Sequence, residues 1–140
     1  MVQVLDYQAV EPLSSFNPSI GITIPQAPFR ILLASIQINI PSSASGNNNV
    51  ELISSVGVEG ITNISQIAFR IFRNGQEIYT TQVGAESVDS EVNYNFTFQA
   101  IDFNLSSGAN FYQLFAENAT PGTQSNLVGP LSFSGLAIGS

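Results

Sequence analysis

The sequence predicts an all-β protein, a single jelly-roll β-sandwich domain of about eight strands with a strand-like N-terminal extension. Its apolar stretches are short, rich in β-branched and aromatic residues, and bounded by Gly, Pro, Asn or Ser. Several of them alternate apolar and polar residues with a period of two, which is typical of strands with one buried side. The chain has 140 residues, 44% of them hydrophobic, which suits one domain with a sizeable core.

The predicted strands follow one another along most of the chain. Isoleucines alternate with other residues in the first two, as expected for strands buried on one side. Gly57 indicates a bulge or a close approach of two backbones, and Pro130 is best placed at an edge or a bulge. The stretches that we interpret as strands are residues 19–24, 29–40, 50–58, 67–83, 91–103, 110–118 and 126–138.

Asn74-Gly75 is the clearest local signal in the sequence. It separates two strand-like runs within residues 67–83, and Asn-Gly favours the positive φ angles of a type I′ turn. The sequence therefore predicts a tight β-hairpin at this point. Arg70 and Arg73 flank the hairpin near Glu77, and we interpret them as cross-strand ion pairs, each worth roughly 0.2 to 1 kcal/mol.

The charge composition argues against several classes of function. Ten acidic residues and only three basic ones, all arginines, give a formal net charge of −7. Binding to nucleic acid or to an anionic membrane surface needs clustered basic residues, so we expect neither. No apolar run approaches the roughly 20 residues that a membrane-spanning helix requires. The first residues do not resemble a secretory signal, so we expect synthesis in the cytoplasm.

No catalytic constellation emerges from the sequence. The chain has neither Cys nor His, which removes disulfides, thiolate metal sites, the Ser-His-Asp triad and most transition-metal sites. We therefore expect neither an enzyme nor a cofactor. Glu86, Asp89 and Glu91 form a calcium candidate in a polar loop, although their spacing matches no EF-hand and a solvated loop is the alternative. A hydrolase that uses two carboxylates is the enzymatic alternative, which only the distance between those carboxylates would reveal.

The first 19 residues suggest a division into an arm, a tether and a body. Residues 1–10 are strand-like, residues 11–19 contain two prolines and resemble a tether, and residues 20–140 form the sandwich. The arm could pair with the edge of its own sheet, as in many sandwiches. We favour the alternative, in which the arm inserts into a neighbouring copy by β-strand addition. An extended tether of this length spans about 30 Å, enough to reach a neighbour.

Val2, Val4, Leu5 and Tyr7 are the candidate residues of the inserted arm. Val2 and Val4 share one face of a strand, whereas Leu5 and Tyr7 share the other. A donor strand buried on one side would not switch faces, so we expect a bulge near Val4 or burial on both faces. Because one copy donates and the next accepts, the contact would be head-to-tail and would produce rings or filaments.

Several stretches of the chain resemble the exosporium protein C family of Bacillus-type spore formers. The most specific are residues 69–75 (FRIFRNG) and 128–138 (VGPLSFSGLAI), and the resemblance extends through most of the chain from Asp6 onward. It implies a protein of the spore surface with no known catalysis, recruited from the mother-cell cytoplasm without a signal peptide. Its implied partners are copies of itself and other exosporium proteins. The other matching stretches are residues 6–9, 56–61, 76–82, 98–102 and 117–123.

A looser similarity is to endospore appendage subunits, small jelly rolls whose N-terminal arm inserts into neighbouring subunits along a fibre. This similarity implies that Val2, Val4, Leu5 and Tyr7 are the residues that insert into the neighbouring subunit. Some of those subunits carry cysteines that cross-link the fibre, and this chain has none. The expected acceptor is the closing strand, around Leu131, Phe133, Leu136 and Ile138.

One function and one alternative follow from these features. The expected function is that of a non-catalytic structural subunit that assembles with itself into a spore-surface fibre or exosporium layer. The alternative is a compact trimer of the tumour-necrosis-factor-like type that acts as an adhesion or binding module. Such a trimer needs an aromatic face at its three-fold axis, although the same aromatic residues could equally be core. The candidates for that face are Tyr94, Phe96, Phe98, Phe111 and Phe115.

Overall fold

The computed structural model describes residues 2–88 and 92–139, and these residues are almost entirely β structure. They form nine strands and one short 3-10 helix, Ser42–Ala44, with no α-helix in these two ranges. Within them, no helix has the length and apolar character needed to cross a membrane. The strands are β1 Gln3–Leu13, β2 Ile22–Thr23, β3 Ile31–Ile40, β4 Asn48–Thr62, β5 Ser65–Arg73, β6 Gln76–Ala85, β7 Asn93–Phe103, β8 Gly108–Asn118 and β9 Gln124–Gly139.

The strands form two antiparallel sheets. Sheet A has the order β1-β9-β4-β7, with β2 also paired to β9, and sheet B has the order β3-β8-β5-β6. The chain crosses repeatedly between the sheets, and its first and last strands are neighbours, which is the arrangement of a jelly roll. The predicted fold class, an all-β jelly-roll sandwich, is confirmed.

The core lies between the two sheets and takes alternate residues from each long strand. In β3, Ile36, Ile38 and Ile40 are buried, whereas the polar residues between them are exposed. Phe69 of β5 and Phe133 of β9 are among the largest fully buried side chains. The period-two pattern of the sequence therefore identified the buried face of β3 correctly. The strand predicted over residues 19–24 with one buried isoleucine face is wrong, because only Ile22–Thr23 form a strand there and Ile22 is exposed.

The hairpin predicted at Asn74-Gly75 joins β5 to β6. Both residues have positive φ angles, 50° and 83°, as a type I′ turn requires. The backbone N–H of Asn74 donates to the carbonyl oxygen of Phe111 at 2.8 Å, and the Asn74 Oδ1 accepts from the N–H of Phe111 at 2.8 Å. These two bonds fix the turn to the first half of β8.

Gly57 and Pro130 lie at the same irregularity of sheet A. The pairing of β4 with β9 shifts register between Val56 and Val58, and a Cβ on Gly57 would lie 1.9 Å from the carbonyl oxygen of Gly129. The close approach predicted at Gly57 and the bulge predicted at Pro130 are therefore confirmed. The glycine is required here because any side chain would collide with a neighbouring backbone.

The N-terminal segment differs from the predicted division into arm, tether and body. β1 runs from Gln3 to Leu13, so it includes three residues of the predicted tether, and it pairs with β9 of the same chain. Of the described residues between the start of β1 and the end of β2, those outside the strands are 14–21, the connection between the two strands. The arm belongs to the sandwich because it covers backbone groups of β9 that would otherwise be unpaired at the edge of sheet A.

Candidate assembly site

β1 and β2 lie in line at one edge of sheet A. Both are antiparallel to β9: β1 pairs with residues 131–139, and β2 pairs with residues 126–127. Together they occupy the place of one strand, which the connection 14–21 interrupts. Because an edge strand is hydrogen-bonded on one side only, β1 is a strand that can leave without breaking the sheet in two.

The pairing of β1 with β9 brings predicted arm residues opposite predicted acceptor residues. The structure thus contains the predicted contact between the two strands, but within one chain. Insertion of the arm into a neighbouring copy stays a prediction. Two of the four candidate arm residues face predicted acceptor residues, Val4 opposite Ile138 and Tyr7 opposite Leu136. Val10 of the arm lies opposite Phe133, and Leu13, which was assigned to the tether, lies opposite Leu131.

The side chains of β1 divide between core and solvent in a way that the sequence did not indicate. Leu5, Val10 and Leu13 are partly buried and pack against the core. The other three predicted arm residues face solvent. Of the four predicted residues, therefore, only Leu5 contributes to the core. The exposed ones are Val2, Val4 and Tyr7, at 69%, 67% and 59% exposure.

Two register shifts explain this division. The pairing with β9 is irregular between Val4 and Asp6 and again between Val10 and Leu13. The first irregularity confirms the bulge predicted near Val4. Each bulge changes the face on which the following side chains lie, so Val10 and Leu13 both reach the core although they are three residues apart. A strictly alternating pattern would place these two residues on opposite faces.

The four predicted acceptor residues lie on both faces of β9. Leu131 and Phe133 are buried in the core. Leu136 and Ile138 are half-buried on the outer face, on either side of the buried Ala137. The four residues therefore do not form one acceptor surface, because odd and even positions of a strand point to opposite sides of the sheet.

Asp6 joins β1 to sheet B. Its Oδ2 accepts a hydrogen bond from the backbone N–H of Asn39 at 2.8 Å, and its Oδ1 accepts one from the N–H of Tyr7 at 2.9 Å. Since Asn39 lies in β3, an edge strand of sheet B, the carboxylate connects the edges of the two sheets. Sequence reasoning missed this contact because nothing local to Asp6 indicates a partner 33 residues away.

The connection 14–21 is held against β9 by backbone contacts of its own. The N–H of Asn17 donates to the carbonyl oxygen of Val128 at 2.8 Å. After β2, the N–H of the buried Ile24 donates to the carbonyl oxygen of Ser125 at 2.9 Å. The chain is therefore anchored to β9 at Asn17 and Ile24 by bonds that do not involve β1.

The hairpin arginines both form ion pairs, but only Arg70 pairs with Glu77, at 2.8 Å. Arg70 also contacts Glu117 at 2.5 Å, and hydrogen bonds to Glu77 and Glu117 raise the Arg70 pKa. Arg73 instead contacts Asp102 of β7 at 2.6 Å, across the sandwich. A pairing of Arg73 with Glu77 is therefore wrong, because positions 70 and 73 of a strand point to opposite faces.

Asp102 is the centre of a network that links the two sheets at one end. Besides the Arg73 guanidinium, its carboxylate accepts hydrogen bonds from the Tyr112 hydroxyl at 2.8 Å and from the Phe103 N–H at 3.1 Å. Burial and the bond to Asp102 raise the pKa of Tyr112, so this hydroxyl remains a donor. The network holds β7 of sheet A against β5 and β8 of sheet B.

The calcium candidate is only partly within the described residues. Glu86 is described, whereas Asp89 and Glu91 lie outside the described ranges. Residues 2–88 and 92–139 contain no group of three side chains that could hold a metal ion. The backbone N–H of Glu86 donates to the Tyr94 hydroxyl at 3.1 Å, which ties the start of this loop to β7.

The five aromatic residues considered for a three-fold axis do not share one surface. Tyr94, Phe96 and Phe98 lie on the inner side of β7 and pack against the core. Phe111 and Phe115 alternate with buried residues of β8 and therefore lie on the outer side of sheet B. A single aromatic face built from these five is wrong, since three of them pack against the core and the other two lie on the outer side of sheet B.

Comparison with known proteins extends the description of the fold. No family model matches the sequence, and no curated protein matches it. The chain is similar in structure to VP2 in the subviral particle of infectious bursal disease virus, with a TM-score of 0.52 and 11% identity over 95% of this chain and 32% of that chain. VP2 in the T=1 particles derived from that virus gives a TM-score of 0.51 and 12% identity, over 95% of this chain and 31% of that chain.

A third likeness is to a bacterial protein. Dimeric latent PorU from Porphyromonas gingivalis gives a TM-score of 0.53 and 12% identity, over 98% of this chain and 13% of that chain. The chain thus spans a third or less of each of these three proteins. At this identity the likenesses show the fold alone, a β-sandwich that occurs as one part of larger proteins.

Proposed function

We propose that the protein is a non-catalytic structural subunit that assembles with copies of itself by exchanging β1. The observation that carries the proposal is the edge position of β1, which pairs along its length with β9 and with no other strand within the described residues. In an exchange, β1 of one copy would make the same hydrogen bonds and core contacts with β9 of the next. The free-energy difference between closed and exchanged forms is then small and depends on concentration.

The connection 14–21 is the hinge of the proposed exchange. Its eight residues reach about 25 Å when extended, at roughly 3.3 Å per residue. It contains the exposed Phe16 and is held mainly through Asn17. Because Ile24 stays bonded to Ser125, β1 can leave without opening the rest of the sandwich. Exchange in one direction produces an open chain of subunits, whereas reciprocal exchange closes a dimer.

The open chain and its location are the parts of the proposal that rest on sequence resemblance. Resemblance to endospore appendage subunits favours one-directional exchange along a fibre. Resemblance to the exosporium protein C family favours the spore surface as the place of assembly, either in the exosporium or in an appendage. The partners in this proposal are copies of the chain itself and other exosporium proteins.

A disulfide reporter between β1 and β9 tests the exchange. Ala9 and Ser134 face each other across the two strands, and the chain has no cysteine, so Ala9→Cys/Ser134→Cys introduces the only two thiols. Facing residues of antiparallel strands have Cα atoms about 4.5 to 5.5 Å apart, which suits a disulfide. If β1 is exchanged, oxidation links neighbouring chains, and non-reducing electrophoresis gives a ladder of multimers.

A matched reporter within the body controls for accidental cross-links. Ser55 and Thr97 face each other between β4 and β7, so Ser55→Cys/Thr97→Cys is expected to give intrachain disulfides and monomers only. Monomers from the β1 reporter at every concentration, with all thiols oxidised, would refute the exchange. Linked dimers and no larger species would indicate reciprocal exchange and would refute the open chain.

A further inference from the structure

The outer face of sheet A carries an exposed apolar patch that extends over β1, β9, β4 and β7. Cross-strand pairing places its members side by side, so that Tyr7 lies opposite Leu136 and Val4 lies opposite Ile138. Its exposed area is on the order of 500 Å², as large as the biggest patch of a typical monomer, and patches of this size are commonly interaction sites. We call it the sheet A patch. Its members are Val4, Tyr7, Ile53, Ile101, Phe103, Leu136 and Ile138.

Glu51 is a charged residue in the middle of the sheet A patch. It lies on β4, paired with Leu136 of β9 on one side and with Ile101 of β7 on the other. Glu51 is partly buried, and its carboxylate forms no ion pair within residues 2–88 and 92–139. A partner that covers the patch removes water from this carboxylate, and that is favourable only if the partner supplies a cation.

The outer face of sheet B has the complementary arrangement. The guanidinium of Arg30 lies 4.5 Å from the ring centroid of Phe72 and 5.0 Å from that of Phe115. Leu32 of β3, 47% exposed, lies opposite Phe115, and Phe111, 53% exposed, lies further along the same face of β8, beyond Gln113. We call these five residues the sheet B patch. Unlike Arg70 and Arg73, Arg30 has no carboxylate partner in the part of the chain that the structure describes.

We propose that the sheet A patch of one copy stacks on the sheet B patch of the next, with Glu51 paired to Arg30. Two patches can combine in three ways, and charge decides among them. Stacking A on A brings two Glu51 carboxylates together without a cation. Stacking B on B brings two Arg30 guanidinium groups together, and the carboxylates beside that patch, Glu77 and Glu117, are already paired with Arg70. Only A on B supplies each charge with its opposite, in a charge-assisted contact surrounded by apolar and aromatic side chains.

The proposed contact is directional. The two patches are on opposite sides of the sandwich, so each copy uses one patch with the copy before it and the other with the copy after it. Such heterologous contacts continue as an open stack or close as a ring. The inference goes beyond the exchange of β1, because Val4 and Tyr7 occupy the same places on sheet A whether β1 comes from the same chain or from another.

Charge reversal tests the contact. The experiment uses the full chain with β1 locked to its own β9 by the oxidised Ala9→Cys/Ser134→Cys disulfide, so that exchange does not contribute. Within that locked protein, Arg30→Glu and Glu51→Arg are each expected to lower the self-association constant at least about tenfold. Sedimentation velocity measures association, and the far-ultraviolet spectrum verifies that each variant is folded.

A mixture of the two single variants gives the decisive result. In an alternating stack of the two variants, one kind of contact joins Arg30 of the Glu51→Arg variant to Glu51 of the Arg30→Glu variant. The other kind joins the introduced Glu to the introduced Arg. Every contact is therefore complementary, and the equimolar mixture is expected to form assemblies as long as the parent's. The double variant Arg30→Glu/Glu51→Arg is expected to do the same. Glu59→Arg is the control, because it makes the same change of net charge on the same strand, opposite Asn93 and Asn126, away from the patch.

Three outcomes would overturn the proposal. The first is a parent protein that stays monomeric up to about 1 mM, since even a weak specific contact is detectable there. The second is single variants that associate as strongly as the parent. The third is a mixture that stays monomeric or stops at dimers, since dimers alone would indicate a symmetric A on A or B on B contact instead. The disulfide experiment on the exchange of β1 uses a protein with unchanged Arg30 and Glu51. The proposals of strand exchange and of stacking are therefore tested independently of each other.

Discussion

Deletion of residues 1–13 measures how much β1 contributes to the sandwich. The deletion removes Leu5, Val10 and Leu13, the three side chains of β1 that pack on the core. Full burial of such a side chain is worth about 1.5 to 3 kcal/mol, so three half-buried ones contribute roughly 2 to 5 kcal/mol. Domains of this size unfold with about 5 to 15 kcal/mol. We therefore expect a truncated protein that still folds but has lost a substantial share of its stability.

Urea unfolding of the truncated protein, with and without a peptide of residues 2–13, is the assay. The peptide is expected to restore stability as its concentration rises, because it binds the folded state only. A peptide with Leu5, Val10 and Leu13 changed to Ser is expected to have no effect. A peptide with Val4 and Tyr7 changed to Ser is expected to restore stability almost fully, because those side chains face solvent.

The two control peptides make the reasoning refutable. A loss of less than about 1 kcal/mol on deletion would contradict the core contacts assigned to β1, given the burial estimate above. Restoration by the peptide that lacks Leu5, Val10 and Leu13, but not by the one that lacks Val4 and Tyr7, would contradict the faces assigned to the strand. All measurements are made at concentrations where sedimentation shows monomers, since assembly would otherwise add to the apparent stability.

Three other predictions concern the body of the protein. Gly57→Ala is expected to destabilise the protein by about 2 kcal/mol or more in urea unfolding, because a Cβ would lie 1.9 Å from a backbone carbonyl oxygen. Gly84→Ala is the control: a Cβ there would meet only a side chain, at 3.5 Å, so stability is expected to change by less than about 1 kcal/mol. Arg73→Met is expected to cost about 2 to 4 kcal/mol because it leaves the buried Asp102 without its cation. Arg73→Met/Asp102→Asn is expected to recover part of that loss, because it removes the unpaired charge and retains an oxygen that accepts from the Tyr112 hydroxyl; equal costs for the two variants would contradict this. Stability is expected to fall as the pH rises above about 10, because the unfolded chain then releases the Tyr112 proton while the raised pKa of Tyr112 retains it in the fold. Unfolding of Tyr112→Phe across that pH range is expected to show a smaller fall, and an unchanged one would contradict the assignment.

The features that the sequence predicted well are those set by neighbouring residues. The alternation of Ile36, Ile38 and Ile40 reflects the pleat of a single strand, so it revealed the buried face of β3 without knowledge of its partner. Asn74-Gly75 has conformational preferences of its own, and the turn followed from them. The close approach of another backbone segment to Gly57 was also predictable, because a glycine inside a strand commonly indicates such an approach.

The features that the sequence did not reveal depend on the register between distant strands. Strand propensity identified residues 1–10 as a strand, but it does not specify whether β9 of the same chain or of another is the partner. The two bulges decide that Val10 and Leu13 face the core while Tyr7 does not, and their effect appears only in the pairing with β9. The sheet A patch was equally hidden. Tyr7, Leu136 and Ile101 come into one row, with Glu51 between the last two, only through the pairings of β1 with β9, β9 with β4 and β4 with β7.

The pairing of β1 with β9 also has a consequence for the time during which the protein is made. β1 emerges from the ribosome more than 100 residues before the part of β9 that it pairs with. At about 5 to 20 residues per second, each new chain displays an unpaired β1 for roughly 5 to 25 seconds. If β1 is exchanged as proposed, closely spaced ribosomes on one message would bring an unpaired β1 close to neighbouring chains, and the choice between a closed subunit and a linked one would be made during translation. We expect the disulfide reporter to give longer ladders from dense polysomes than from protein refolded at high dilution.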